Sequence, residues 1–200
     1  MEDELLRQQI RDRKVKRLKQ KRKRQLITES LGWLIYFVAV ILATFLIVNF
    51  VGQRTRVSGP SMESTLQDGD NLIVDKISYR FKDPERFDII VFPYQYAEDT
   101  FYIKRIIGMP GETVQIIDGA VYINDVLLDE DVYGKEVIDS TKYGIAEEPI
   151  VLGEDEYFVL GDNRNHSSDS RDPSVGVLTR EQLIGRAWIR VWPISEFEVF

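Results

Sequence analysis

Hydrophobic and polar positions divide this chain into two regimes. Residues 30–53 carry no charge, and residues 31–51, LGWLIYFVAVILATFLIVNFV, are almost wholly apolar, with Thr44 and Asn49 as the clear polar interruptions. As a helix these 21 residues extend roughly 32 Å, close to the ~30 Å hydrocarbon core of a bilayer. A buried helix of a soluble domain keeps a polar stripe. The apolar part of a cleaved signal peptide is usually ~7–15 residues and ends at a small-residue site. Residues 31–51 are therefore predicted to be a transmembrane helix.

Beyond the span the pattern changes to short β-rich runs. NLIVD (71–75), DIIVF (88–92), FYIKRII (101–107), TVQII (113–117), AVYI (120–123), YFVL (157–160) and RAWIRVW (186–192) read as strands. Asp118-Gly119 between two of them predicts a tight hairpin, and Asp68-Gly69 and Pro110-Gly111 mark further turns. Short strands with tight turns predict a mainly β fold, with antiparallel sheets in a partly closed architecture. TREQLI (179–184) predicts a helical turn, with Thr179 as N-cap and Gln182 three residues on. Residues 124–150 are acidic and weakly patterned, an excursion from the sheet rather than a second domain. Phe92, Pro93, Tyr94 and Tyr96 cluster between two strands, where core packing is the default and contact with the bilayer interface the alternative.

Charge adds an orientation. Residues 1–29 hold 11 Lys or Arg against 5 Asp or Glu, and the remaining residues hold 15 against 28. An acidic domain with a basic arm argues against nucleic acid as the partner. The run RDRKVKRLKQKRKR (11–24) precedes the apolar span, and the positive-inside rule makes that side cytoplasmic. The expected organisation is a basic cytoplasmic arm (1–30), the span (31–51) and an exterior β-domain (52–200), in the cell membrane. No cysteine is present, so the exterior domain relies on its own core, which about 150 residues supply.

Candidate chemistry centres on RVSGPSMESTLQDGD (56–70) and its Ser61. A serine hydroxyl needs a base within hydrogen-bond reach to become a nucleophile. The single histidine, His166, lies in GDNRNHSSDSR (161–171) near Asp162 and Asp169, which would make a Ser-His-Asp triad. Lys104 in FYIKRII is the other candidate. Alternation along the strand puts Tyr102, Lys104 and Ile106 on one face and Phe101, Ile103, Arg105 and Ile107 on the other. A lysine in so apolar a strand is desolvated, which lowers its pKa. Moving it from about 10.4 to the useful range of about 7–8 takes roughly 4 kcal/mol, which an apolar pocket supplies and a solvated surface does not.

The span, SGPSMESTL (58–66), FDIIVF (87–92), YIKRIIGMPGETV (102–114) and GDNRNHSSDSR (161–171), taken in this order, resemble the bacterial type I signal peptidases, membrane-anchored serine proteases with a Ser-Lys dyad. The resemblance implies Ser61 as nucleophile and Lys104 as general base. It also implies Ser167 as the hydroxyl that orients the lysine, Asp169 and Arg171 as shapers of the site behind it, Asp162 and Arg105 as a salt bridge, and Met62 as part of the substrate cleft. Many members carry proline three residues after the nucleophile, where this chain has Ser64. In some, a hydroxyl two residues before the nucleophile assists the oxyanion hole; here that position is Gly59. Pro60 has no N–H, so the Ser61 backbone N–H is the expected donor, with a second from Gly59 or Ser58 left open.

The implied substrates are secretory preproteins with small residues at the cleavage site, bound extended along a strand edge. The other implied partner is the lipid bilayer, and neither metal nor cofactor is implied. Two rival readings are a tethered hydrolase using Ser61 and His166, and a tethered β-domain that binds a partner without chemistry.

Overall fold

The computed structural model describes residues 2–46, 52–129, 133–134 and 136–200. The chain divides into two units, Met1–Val48 and Asn49–Phe200. In the first, helix α1 runs from Glu2 to Leu46 without a break at the expected boundary between arm and span. Its first half is rich in Arg, Lys, Gln and Leu, all good helix formers. Its second half exposes Trp33, Ile35, Phe37, Ile41 and Phe45. The segment Lys21–Phe45 is long and apolar enough to cross a membrane. Residues 47–51, the last part of the predicted span, lie outside the described residues.

The second unit is built from β1 (Gly52–Arg56), β2 (Asn71–Asp75), β3 (Ile89–Pro93), β4 (Phe101–Gly108), β5 (Thr113–Ile117), β6 (Ala120–Ile123), β7 (Val126–Leu127), β8 (Ile150–Val151), β9 (Glu156–Leu160), β10 (Leu178–Thr179), β11 (Gly185–Trp192) and β12 (Glu198–Val199). One sheet has the order β1-β2-β11-β3-β4-β9-β10, with β12 also on β11; the other has the order β7-β6-β5-β8. Every pairing is antiparallel. The expected partial closure is corrected: among the described residues no pairing joins β1 to β10, so the larger sheet stays open.

The continuous apolar runs follow from burial of both sheet faces. In β3, Ile89 and Val91 enter one core with Met62, Leu66, Leu72 and Ile103. Ile90 and Phe92 enter another on the opposite face, with Ile106, Val159 and Leu178. A third core joins the smaller sheet to the end of β4 and β9, through Ile107, Val114, Val121, Phe158 and Leu160. Asp118 (φ 50°) and Gly119 (φ 80°) form the predicted hairpin, with Ile117 opposite Ala120. Thr179 N–H donates to Gln182 Oε1 at 2.7 Å, capping the short 3-10 turn Arg180–Gln182. Within 124–150, β7 and Ile150 of β8 join the smaller sheet, and the buried Ile138 and Ala146 enter the third core. In the aromatic cluster Phe92 is buried, Tyr94 stacks on Tyr102 at 4.7 Å, and Tyr96 is exposed.

Candidate active site

Ser61 opens a turn held from below. Met62 and Leu66 are buried in the core, and the Leu66 N–H donates to the Met62 carbonyl at 2.8 Å. These anchors leave Ser61 half-buried at the surface of the β unit. Lys104 arrives from the middle of β4, and its Nζ lies 2.8 Å from Ser61 Oγ and 2.9 Å from the Ile103 carbonyl. Only 4% of Lys104 is exposed. Burial pushes its amine down to about 8, against the Asp169 and Asp162 carboxylates, which favour the ammonium form. The Tyr102 ring lies 5.1 Å from Nζ.

Strand alternation sends the neighbouring cation the other way. Arg105 donates from Nε to Asp162 Oδ1 at 2.8 Å and from Nη2 to Oδ2 at 2.7 Å. The Thr65 hydroxyl donates to Asp162 Oδ2 at 2.6 Å and accepts from Arg105 Nη2 at 3.1 Å. Asp169 and Arg171 form a second bidentate pair, at 2.8 Å for both bonds, and Asp169 Oδ2 also accepts from the Gly161 N–H at 3.0 Å. Both carboxylates are almost fully buried. Such forks are directional as well as charged, so they pin the 161–171 loop on either side of Ser61 and Lys104. Gly161 lies so near that a Cβ there would sit 2.4 Å from the Ser61 carbonyl oxygen and 2.3 Å from Ser167 Oγ.

Several expected contacts turn out differently. Ser167 Oγ is buried and has no hydrogen-bond partner among the described residues, and the two bonds that Lys104 Nζ makes there go to Ser61 Oγ and the Ile103 carbonyl. The Gly59 N–H donates to Asp68 Oδ1 at 2.9 Å, which removes it as the second oxyanion donor. Ser58 is exposed at the rim of a cavity of about 200 Å³ that is also lined by Ser61, Met62, Phe101, Tyr102 and Lys104. Met62 therefore touches the cleft while most of it serves the core. A larger cavity of about 550 Å³ lies elsewhere, around Arg105, Arg186 and Arg190, and does not include Ser61. His166 is exposed, and the carboxylates of Asp162 and Asp169 are committed to arginines. The triad geometry is thus not assembled.

Residues 30–192 match the family described as Signal peptidase, peptidase S26. The chain belongs to that family. It is 45% identical over 162 residues to "Probable signal peptidase I-2" of Synechocystis sp., covering 78% of this chain and 70% of that one. "Signal peptidase IB" of Staphylococcus aureus is 31% identical over 183 residues, 85% of this chain and 93% of the relative. A crystal structure of a signal peptidase I from Enterococcus faecalis is 37% identical, with a TM-score of 0.43, and covers 52% of this chain and 97% of its own. Sequence alone did not mark three further residues at the site: Asp68, Thr65 and Asn163. All three lie inside the quoted motifs, but their roles depend on contacts up to 103 positions apart.

Proposed function

We propose that this chain is a membrane-anchored serine endopeptidase that removes signal peptides from secretory preproteins, with Ser61 as nucleophile and Lys104 as general base. Membership of the signal peptidase family supports the substrate class. The observation that carries the mechanism is the 2.8 Å contact between Ser61 Oγ and the amine of a buried lysine. With its pKa near 8, about one Lys104 in ten is neutral at pH 7, roughly 300-fold more than for a lysine at 10.5.

In this mechanism the neutral Lys104 amine accepts the Ser61 proton as Oγ attacks the scissile carbonyl carbon. The tetrahedral intermediate collapses when Lys104 returns the proton to the leaving amine, which frees the mature protein and leaves the signal peptide esterified to Ser61. Water then attacks the ester, with Lys104 again accepting the proton, and releases the signal peptide as an acid.

The substrate strand has an open edge to join. Residues 101–104 of β4 pair with β3 alone among the described residues, Arg105 pairs with both β3 and β9, and Ile106 and Gly108 pair with β9. A preprotein segment extended along that edge reaches Ser61 and turns side chains into the adjoining small cavity. In α1 the basic residues precede the apolar segment, which supports a single-pass anchor with the N-terminus cytoplasmic and the β-domain on the outer face of the cell membrane. Tethering to the bilayer raises the effective concentration of enzyme and preprotein.

The full chain in detergent is expected to cut a purified preprotein once, after a small residue. Replacing that residue by phenylalanine should lower kcat/KM by about 100-fold or more, the scale expected when a reacting carbonyl is displaced by ~1 Å. Product N-terminal sequencing and initial rates check this. Indifference to that side chain, or no cleavage at all, would favour a tethered binding domain or a different hydrolase.

A further inference from the structure

The turn around Ser61 leaves few donors for an oxyanion. Pro60 has no N–H, and the Gly59 N–H is taken by Asp68. Across residues 59–61 the Ser61 N–H is the one backbone donor without a partner among the described residues. Its direction is decided one bond away. The Pro60–Ser61 peptide is trans, and in a planar trans peptide N–H and C=O point in opposite directions. Whatever holds the Pro60 carbonyl therefore aims the Ser61 N–H.

Two donors hold it: the Glu63 N–H at 3.1 Å, within the same turn, and Asn163 Nδ2 at 3.1 Å, from across the site. The backbone N–H of Asn163 donates to the Ser61 carbonyl, also at 3.1 Å. Asn163 thus grips the carbonyls on both sides of Ser61. It is 2% exposed. Glu63 Oε2 lies 3.5 Å from the same Nδ2, so two acceptors face that nitrogen and set the orientation of the amide. Asn163 Oδ1 is consequently buried with no partner among the described residues, a cost that an amide present only for packing would avoid.

Building on the Ser61–Lys104 reading, we propose that Asn163 is a positioning residue for the oxyanion donor: its side-chain amide holds the Pro60 carbonyl so that the Ser61 N–H faces the charge developing on the scissile carbonyl oxygen. Asn163 touches neither the substrate nor Lys104 in this role. Its loss misaims a donor that acts chiefly on the transition state.

The test uses the full chain in detergent, with Asn163→Ala and Asn163→Asp compared with wild type and with Lys104→Ala. The probes are a preprotein, a peptide aldehyde ending in the same small residue, which adds to Ser61 as a tetrahedral hemiacetal, and the matching unreactive peptide alcohol. For both Asn163 variants kcat is expected to fall roughly 10- to 100-fold with KM changed by no more than about threefold. Affinity for the aldehyde should fall by the same factor, while alcohol binding and the pH midpoint of kcat/KM stay as in wild type. Asn163→Asp keeps the side-chain volume and carries the test if Asn163→Ala does not fold. Unchanged kcat and aldehyde affinity would overturn the proposal. So would parallel loss of alcohol binding and aldehyde binding, the signature of a merely structural role. Activity retained by Lys104→Ala would overturn the underlying Ser61–Lys104 reading as well, whereas its loss beside unaffected Asn163 variants overturns only the role of Asn163.

Discussion

Lys104→Met is expected to lose at least about 10⁴-fold in turnover while making the folded β unit more stable. The first effect follows from removing the only group at hydrogen-bond distance from Ser61 Oγ that can take its proton, among the described residues. The second follows from what the lysine costs. Its folded-state pKa of about 8 lies below its ordinary 10.5. Between those values the unfolded chain holds a proton that the folded chain has released, so stability rises with pH across that window. Below pH 8 the full penalty applies, roughly 3 kcal/mol from the size of the shift. Methionine fills similar space without a charge but gives up two hydrogen bonds. The net gain at pH 7 is expected to be about 1–3 kcal/mol, and at pH 11 it should vanish. Denaturant unfolding in detergent at the two pH values measures it. A variant as active as wild type would contradict the role of Lys104 as base, and one less stable at pH 7 would contradict the cost of its burial.

Arg105→Ala is expected to cost about 3–5 kcal/mol of stability. Asp162 has no exposure and receives two bonds from Arg105 and one from the Thr65 hydroxyl. Truncating the arginine strands a buried carboxylate without its paired cation and without two of these three hydrogen bonds, and this cost exceeds the net worth of the intact pair. The Tyr133 ring, whose centroid lies 4.0 Å from the Arg105 guanidinium carbon, also loses its contact. Pairing the change with Asp162→Asn removes the stranded charge, so the double variant should be more stable than Arg105→Ala alone. A double-mutant cycle reads this coupling, and strict additivity would contradict it. Activity should fall with stability, because Asp162 begins the loop that carries Asn163 and Asp169 past Ser61.

Much of this was legible because the chemistry and the core share the same strands. DIIVF and FYIKRII stand out as strands because both faces of β3 and β4 are buried. The same burial makes Lys104 anomalous, and alternation then separates it from Arg105. The hairpin at Asp118-Gly119 was legible from residues that accept positive φ. Other parts carry no such local mark. β1, GQRTR, is a polar edge strand recognised by its pairing with β2, not by hydrophobic alternation. The short β7, β8, β10 and β12 exist through their partners, and Ile138 and Ala146 contribute to a core that the acidic stretch around them conceals. At the site, Gly59 could not be seen to be occupied before Asp68 was seen beside it. The grip of Asn163 on Pro60 spans 103 positions, and a hydrogen bond at that range leaves no periodic signal.

The most direct test of the central claim is the pH dependence of kcat/KM for preprotein cleavage by the full chain, measured in wild type and in His166→Ala. With Lys104 as the base, activity should rise through a midpoint near 8 and then level, because the neutral amine accumulates there. His166→Ala should follow the same curve at a similar height. A rise centred near 6.5, the ordinary histidine value, that disappears in His166→Ala would contradict the account, as would a rise delayed to the pH of an unburied lysine.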